Sequence, residues 1–374
     1  MKALLFANTD WYLYNFRLPL AKALRTQGYD VLLLSPPGDY AKLLTQEGFR
    51  WTGLPLPKGV NPLSELRALY RLLRVYRAER PDLAHHFTIR CVLYGGFAAR
   101  SAGVRAIVSS VTGLGHVFTT NSWLNRLLRP LISVVYRYVF ARSQVIFQNP
   151  DDRRDFLRLA LLDEARTHLI RGSGVDTEFF RPGTGLRSDR PPTVLMVARL
   201  LREKGVHEFV EAAGIVRKKL PETRFVLAGA ADPGNPSSID PEVIVEWQNR
   251  GDVDFLGHKS GIRELIQASD LVVLPSYREG APRSLIEAAA CGLPLVATDV
   301  PGCREVVLNE ANGLLVPPFD SALLADAIIE LLADGERRAA MGKRSRAMAC
   351  ELFSQDRIVR QTMDVYAKVL KGVQ

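Results

Sequence analysis

Between Leu83 and Pro150 the chain has no aspartate and no glutamate, yet it carries seven arginines there. Such a stretch calls for an anionic partner: membrane lipid, a phosphorylated substrate or nucleic acid. Cysteine is scarce too. Cys91, Cys291, Cys303 and Cys350 form no C-x-x-C pair, which argues against a disulfide framework and a structural zinc and fits a reducing compartment. Uncharged apolar runs are short of the roughly 18 residues that a spanning helix needs, so no transmembrane helix is expected. The opening MKALLFANTD turns polar too soon for a signal peptide and reads as a first buried strand.

What is present suits a large folded protein. Of 374 residues, 47% are hydrophobic and 24% charged, which supplies more core than one ordinary domain uses. The net charge of +9 comes from the first half, the second being close to neutral. Short apolar runs alternate with helix-length segments throughout. KALLFAN, DVLLLSP, DLAHHF, RAIVSSV and QVIFQN are the strands expected in the first half. TVLMVAR, RFVLAG, VDFLG, DLVVLPS, LPLVATD and GLLVP are those of the second. Helices are expected at 16–27, 63–80, 206–220, 261–268, 282–290 and 321–333. Continuous apolar strands separated by helices predict parallel sheets covered on both faces. The stretch 172–192, rich in glycine, proline and charge, reads as a linker. After it, Ser354 caps a terminal helix. The expectation is an α/β chain of two doubly wound, Rossmann-like domains facing a central cleft, 1–175 and 190–352, with 353–374 returning to the first. A ligand belongs at the carboxyl ends of such strands.

The stretch EGAPRSLIEAAACGLPLVATD places Glu279 and Glu287 eight positions apart. Were both helical, they would stand about 12 Å apart along the axis, too far for a glycosidase acid–base pair. That reach suits the two ends of one extended ligand, with hydroxyls for the carboxylates to accept from. Between them Gly280 and Ala281 expose backbone N–H groups, and Pro282 opens a helix whose amino end favours an anion. A second cluster, ARLLREKG, puts Arg199 and Lys204 just after TVLMV. Cations are disfavoured at a helix start unless an anion compensates them, and two of them can neutralise a diphosphate without metal.

With these motifs in place, the chain resembles the retaining glycosyltransferases of family 4, of GT-B fold. The resemblance rests on EGAPRSLIEAAACGLPLVATD, ARLLREKGVHEFVEA, DFLGHKSGIRELIQASDLVVLPSYREG and the late GCREVV with Glu305, and covers nearly the whole chain. It implies a UDP-sugar donor, retention at the anomeric carbon and no metal cofactor. It also implies that Arg199 and Lys204 bind the diphosphate, Glu287 the ribose and Glu279 the sugar. Gly280, Ala281, Pro282 and Arg283 would help hold the donor, with Gly257 and His258 beside the base. NTDWYLYNFRLPLAKAL, HHFTIRCVLYGG and SSVTGLGHVF resemble the members that add a hexose or N-acetylhexosamine, GalNAc foremost, to undecaprenyl-diphosphate-linked sugars. Asn15, Arg17, Thr112 and His116 are the acceptor-side candidates. Thr112 stands where many relatives carry a histidine, with His116 four residues on; His85, His86 and His116 each read equally as a residue near the reacting sugar or as an ordinary core or loop histidine.

The segment 122–142, with Trp123, Arg126, Arg129 and Arg137, reads as an interfacial helix docking on an anionic membrane surface, which would set the protein on the cytoplasmic face. Asp252 and Asp254 form a D-x-D inside a region already explained and are not expected to bind metal. The arginine-rich 66–80 segment carries no known nucleic-acid reading motif, and its charge suits a membrane surface, so nucleic acid is not an expected partner. The alternatives are a soluble transferase with a small acceptor, a UDP-sugar epimerase, and a non-catalytic nucleotide-sugar sensor.

Overall fold

The computed structural model describes residues 1–57, 61–112, 123–183, 190–232 and 234–372, with residues 123–128 described by backbone alone. The chain divides into two compact units, Met1–Ser173 with Asp356–Gln374, and Gly174–Gln355.

The first unit holds a seven-stranded sheet: β1 (Lys2–Phe6), β2 (Asp30–Ser35), β3 (Arg50–Gly53), β4 (Leu83–Phe87), β5 (Ala106–Val111), β6 (Ser143–Phe147) and β7 (Thr167–Leu169). The order is β3-β2-β1-β4-β5-β6-β7, and every pairing is parallel. The two-residue period of a strand divides β1 between the faces. Leu5 packs with Val31, Leu24 and Tyr366 on one side. Leu4 and Phe6 pack with Leu72, Tyr76 and Ala98 on the other. The strands are apolar throughout because both faces are covered. Helix Gln355–Lys371 buries Ile358, Thr362, Val365 and Tyr366 and belongs to this first core although it follows the second unit in the chain.

The second unit holds β8 (Thr193–Val197), β9 (Arg224–Ala228), β10 (Asp254–Phe255), β11 (Leu271–Leu274), β12 (Leu295–Thr298) and β13 (Gly313–Val316). Their order is β10-β9-β8-β11-β12-β13, again parallel throughout. Each sheet reverses direction once, between β1 and β4 and between β8 and β11. Loops at such a reversal diverge and leave a crevice at the carboxyl ends of the strands.

Several elements differ from the sequence reading. β3 and β7, and helices Pro241–Arg250 and Gly335–Leu352, were not anticipated. β3 and β7 are short edge strands of half-buried and exposed residues, without the apolar run that marks the others. The helix expected over 16–27 starts earlier, as Asp10–Tyr12, then a π-helical turn Leu13–Arg17, then Leu18–Thr26. The first part of the expected linker is structured. Val175 exchanges backbone bonds with Phe353 and Gln355 at 2.9 Å each, Asp176 accepts from the amides of Glu178 and Phe179, and Arg346 holds the carbonyls of Thr177 and Phe180.

Candidate functional site

The segments that follow the strands of the second sheet carry three ion pairs, two between loops and one within a helix. Arg199 follows β8 and donates to Asp232, after β9, at 2.8 Å. Lys204 ends a 3-10 turn, Arg202–Lys204, and meets the Glu279 carboxylate after β11 at 2.5 Å. Arg283 donates to Glu287 at 2.6 Å within one helix, Arg283–Ala290. The first pair is largely solvated. The other two are mostly buried, with 11% and 13% exposure for the Glu279 and Glu287 side chains, so solvent screens them less.

Backbone geometry sets these positions. Gly205 has φ +72°, and a Cβ there would lie 2.0 Å from the Pro275 carbonyl oxygen, so only glycine lets the Lys204 turn close on the end of β11. The Glu203 carbonyl then accepts from Ser276 Oγ at 2.8 Å and Tyr277 N at 2.9 Å. Gly302, at φ +83°, passes the Glu279 loop so closely that a Cβ would sit 2.4 Å from the Glu279 carbonyl oxygen. Glu279 itself lies in a loop, outside the helix, so the axial spacing for two helical glutamates does not apply. Pro282 is the residue before the helix, with φ −69°. Burial pushes the Glu287 carboxyl above its ordinary value, and the Arg283 guanidinium opposes that shift. Gly257, at φ +64°, accepts from Gly229 N at 2.9 Å, which fixes where exposed His258 leaves the strand. Glu305 lies in the short helix Cys303–Val306, and the buried Cys303 thiol is close enough to Glu279 and Lys204 to feel both charges.

Asp252 and Asp254 each hold arginines. Asp252 pairs with Arg250 and Arg217, Asp254 with Arg224, and no metal-binding cluster occurs among the described residues.

In the first unit, Asn15 and Arg17 lie on the π-helical turn after β1. Asn15 Nδ2 donates to the Trp11 carbonyl at 3.0 Å. Arg17 is 5% exposed. It donates to Tyr12 Oη at 2.7 Å and lies 4.3 Å from the Phe87 ring centroid. Thr112 closes β5 and is half-buried; His116 lies outside the described residues. His85 and His86 are core residues. His85 joins Tyr366 at 2.5 Å and Ser110 at 2.7 Å, and His86 joins Tyr76 at 2.8 Å. Burial lowers both histidines, His86 to about 3, with the Arg17 charge adding to the shift at His85.

Helix Trp123–Phe140 buries Tyr136, Val139 and Phe140 and exposes Leu131, Val134, Val135 and Tyr138. The exposed four recur at i, i+3, i+4 and i+7, a second apolar stripe on one helix. Arg137 is exposed and touches the Ala160 carbonyl, and the Arg129 carbonyl accepts from Ser133. The side chains of Trp123 and Arg126 lie outside the described residues.

Sequence reasoning missed Asp232 and Gly302. An acid directly after RFVLAGAA was a usable signal for the first. The close approach that requires Gly302 had none.

Residues 177–348 match the family described as glycosyl transferases group 1, and residues 16–172 match the glycosyl transferase 4-like domain. The chain is 31% identical to the N,N'-diacetylbacillosaminyl-diphospho-undecaprenol alpha-1,3-N-acetylgalactosaminyltransferase of Campylobacter jejuni, over 96% of this chain and 97% of the relative. It is 25% identical to the UDP-Gal:alpha-D-GlcNAc-diphosphoundecaprenol alpha-1,3-galactosyltransferase of Escherichia coli, over 83% and 81%. Among solved structures, Anabaena HepE in complex with UDP superposes with a TM-score of 0.80 at 23% identity, covering 98% of this chain and 100% of that one.

Proposed function

Because the chain belongs to the group 1 glycosyltransferases with a family 4-like first domain, of GT-B fold, we propose that it moves a sugar, GalNAc or a related hexose, from a UDP-sugar to a polyprenyl-diphosphate-linked saccharide. The observation that carries the donor side is the Lys204–Glu279 pair at the reversal of the second sheet, with Arg283–Glu287 behind it.

An ammonium has three N–H donors. Lys204 can therefore keep Glu279 and still meet a diphosphate oxygen, and Arg199 adds a second cation. As the bond from the anomeric carbon to the diphosphate breaks, the electron pair leaves with the phosphate oxygen. These two cations stabilise the charge that develops there. Glu279 accepts from a donor-sugar hydroxyl and Glu287 from the ribose. The acceptor hydroxyl oxygen forms the new bond to the anomeric carbon with retention, and its proton passes to the departing diphosphate oxygen. Two protein cations supply the charge that a metal ion otherwise supplies, so turnover is expected to survive EDTA.

The relatives' acceptors are lipid-linked by their names, and two helices of the first unit carry a surface suited to lipid. Besides the stripe on Trp123–Phe140, helix Pro62–Glu79 exposes Leu63, Leu66 and Tyr70 and, beside them, Arg67, Arg71, Arg74 and Arg77. Among the described residues no helix is long and apolar enough to cross a membrane. Apolar side chains entering the acyl boundary with arginines at the headgroups describe peripheral docking on the inner face.

The test is transfer from a panel of UDP-sugars to synthetic polyprenyl-diphosphate saccharides, with and without EDTA. Co-sedimentation with anionic vesicles, for wild type and for Leu66→Glu with Leu131→Glu, tests the docking. No transfer to any such acceptor would defeat the substrate reading. Complete loss with EDTA, restored by Mg²⁺, would defeat metal independence. Equal vesicle binding by the double variant would defeat the docking surface.

A further inference from the structure

The first sheet has a reversal point of its own, and the loop at it holds an indole in place. We infer that Trp11 is the platform on which the acceptor's sugar ring stacks, which makes it a specificity-determining contact for the acceptor. This rests on the reading above that the acceptor is a lipid-linked saccharide.

Trp11 follows β1, the strand beside the reversal, and is 40% exposed. An exposed tryptophan on a loose loop would carry no argument, but this one is braced from several sides. Asp10, 5% exposed, accepts from Trp11 N at 2.8 Å and from the amides of Tyr40 and Ala41 at 2.9 Å each. The carboxylate thereby ties the loop after β1 to the loop after β2. Gly38 permits the closure, since a Cβ there would lie 2.5 Å from Asp10 Oδ1. The indole meets Phe16 edge-on at 4.9 Å, and Phe16 meets Tyr12 edge-on at 5.0 Å. The Tyr12 hydroxyl takes the buried Arg17 guanidinium.

Two independent features mark the same place as more than a turn. Leu13–Arg17 is π-helical, a geometry that is rare and concentrated at functional sites. Across the reversal, Thr88 directly after β4 has φ 68° and ψ 148°, a region that β-branched residues avoid and that clusters at ligand sites. A rigid aromatic held out at a sheet reversal is pre-organised for a flat apolar face. A pyranose offers one on the side of its axial hydrogens.

Lipid is the competing occupant, and the packing disfavours it. The exposed apolar stripes lie on two helices, of which Pro62–Glu79 packs with Leu4 and Phe6 and Trp123–Phe140 with Val111, Val145 and Phe147. Tyr12 and Tyr14, which flank the indole in sequence, pack with the opposite face.

The experiment uses the full chain, a UDP-sugar that supports turnover and a synthetic polyprenyl-diphosphate N-acetylhexosamine. For Trp11→Ala the acceptor KM is expected to rise about tenfold, a loss in the range of one aromatic contact, with UDP affinity and vesicle binding unmoved. Trp11→Phe should recover most of the loss. The acceptor should quench tryptophan fluorescence in the wild type and much less in Trp11→Phe. Transfer by the wild type with an unchanged acceptor KM in Trp11→Ala overturns the assignment alone. So does a rise in KM that tracks lost vesicle binding, which would make Trp11 a lipid anchor. So does a fall in UDP affinity, which would mean a damaged fold. If the wild type transfers to no polyprenyl-diphosphate saccharide, the acceptor reading fails first and this inference with it.

Discussion

Lys204 and Glu279 come from loops after different strands and meet in a mostly buried place, so each is the other's main compensation for leaving water. Lys204→Ala removes the cation proposed to receive the diphosphate and leaves Glu279 alone. Turnover is expected to fall by about 10²–10³ while the protein stays folded, measured as UDP release beside a melting curve. Near-normal turnover would dismiss the site. Glu287 behaves differently. Its carboxyl is raised above the ordinary 4.5 by burial, so its contribution to stability is present below 4.5 and is lost as pH rises through the raised value. Glu287→Gln is therefore expected to be more stable than wild type at neutral pH, with the difference shrinking toward acid, and to bind UDP less well. Melting temperatures at two pH values with a UDP titration check both signs. The residues of this site were legible because they sit in the turn and helix start that follow a buried strand, β8 for Arg199 and Lys204 and β11 for Glu279 and Glu287, where a ligand of a doubly wound sheet lies. Asp232 was not legible as Arg199's partner, because that pairing spans 33 positions and depends on β8 and β9 being neighbours. Trp11 was hidden for the opposite reason: in NTDWYLYNFR it is one aromatic among four, and only the fold separates the exposed ring from those that brace it.

At the scale of elements, strands with apolar runs were readable, the edge strands β10 and β13 included, while β3 and β7 at the edges of the first sheet were not. β7 is three half-buried residues, and its place comes from pairing with β6, a tertiary fact. The π-helical turn was likewise invisible, since its residues suit an ordinary helix equally well. The terminal helix Gln355–Lys371 could be read as a helix, but not for the bond it supplies. Tyr366 Oη meets His85 Nδ1 at 2.5 Å inside the first core. Tyr366→Phe keeps the ring and removes that partner from a buried imidazole, which costs about 1–3 kcal/mol. The expected result is a lower melting temperature together with faster amide exchange along 355–371. An unchanged melting temperature would mean that His85 finds another partner.

Across the whole molecule the two units respond to acid in different ways. His85 and His86 are buried neutral, held below the ordinary 6.5 by desolvation. Unfolded, they bind protons below 6.5, so the stability they lend the first unit is present above that value and is lost as pH falls toward about 3. Glu287 in the second unit works in the other direction. As pH drops below 6.5, amides of β4 and of helix Gln355–Lys371 should lose exchange protection before those of β11 and β12. Simultaneous loss in both units would contradict this order.

The first unit is also built from two separated lengths of chain, and this bears on how the protein is made. On the ribosome, Met1–Ser173 emerges first yet lacks the helix that covers Leu5, Val31 and His85. Gly174–Gln355 is continuous and has all it needs once synthesised. The second unit can therefore finish folding while the first waits, one apolar face open to a chaperone, until residues 356–371 arrive to seal it.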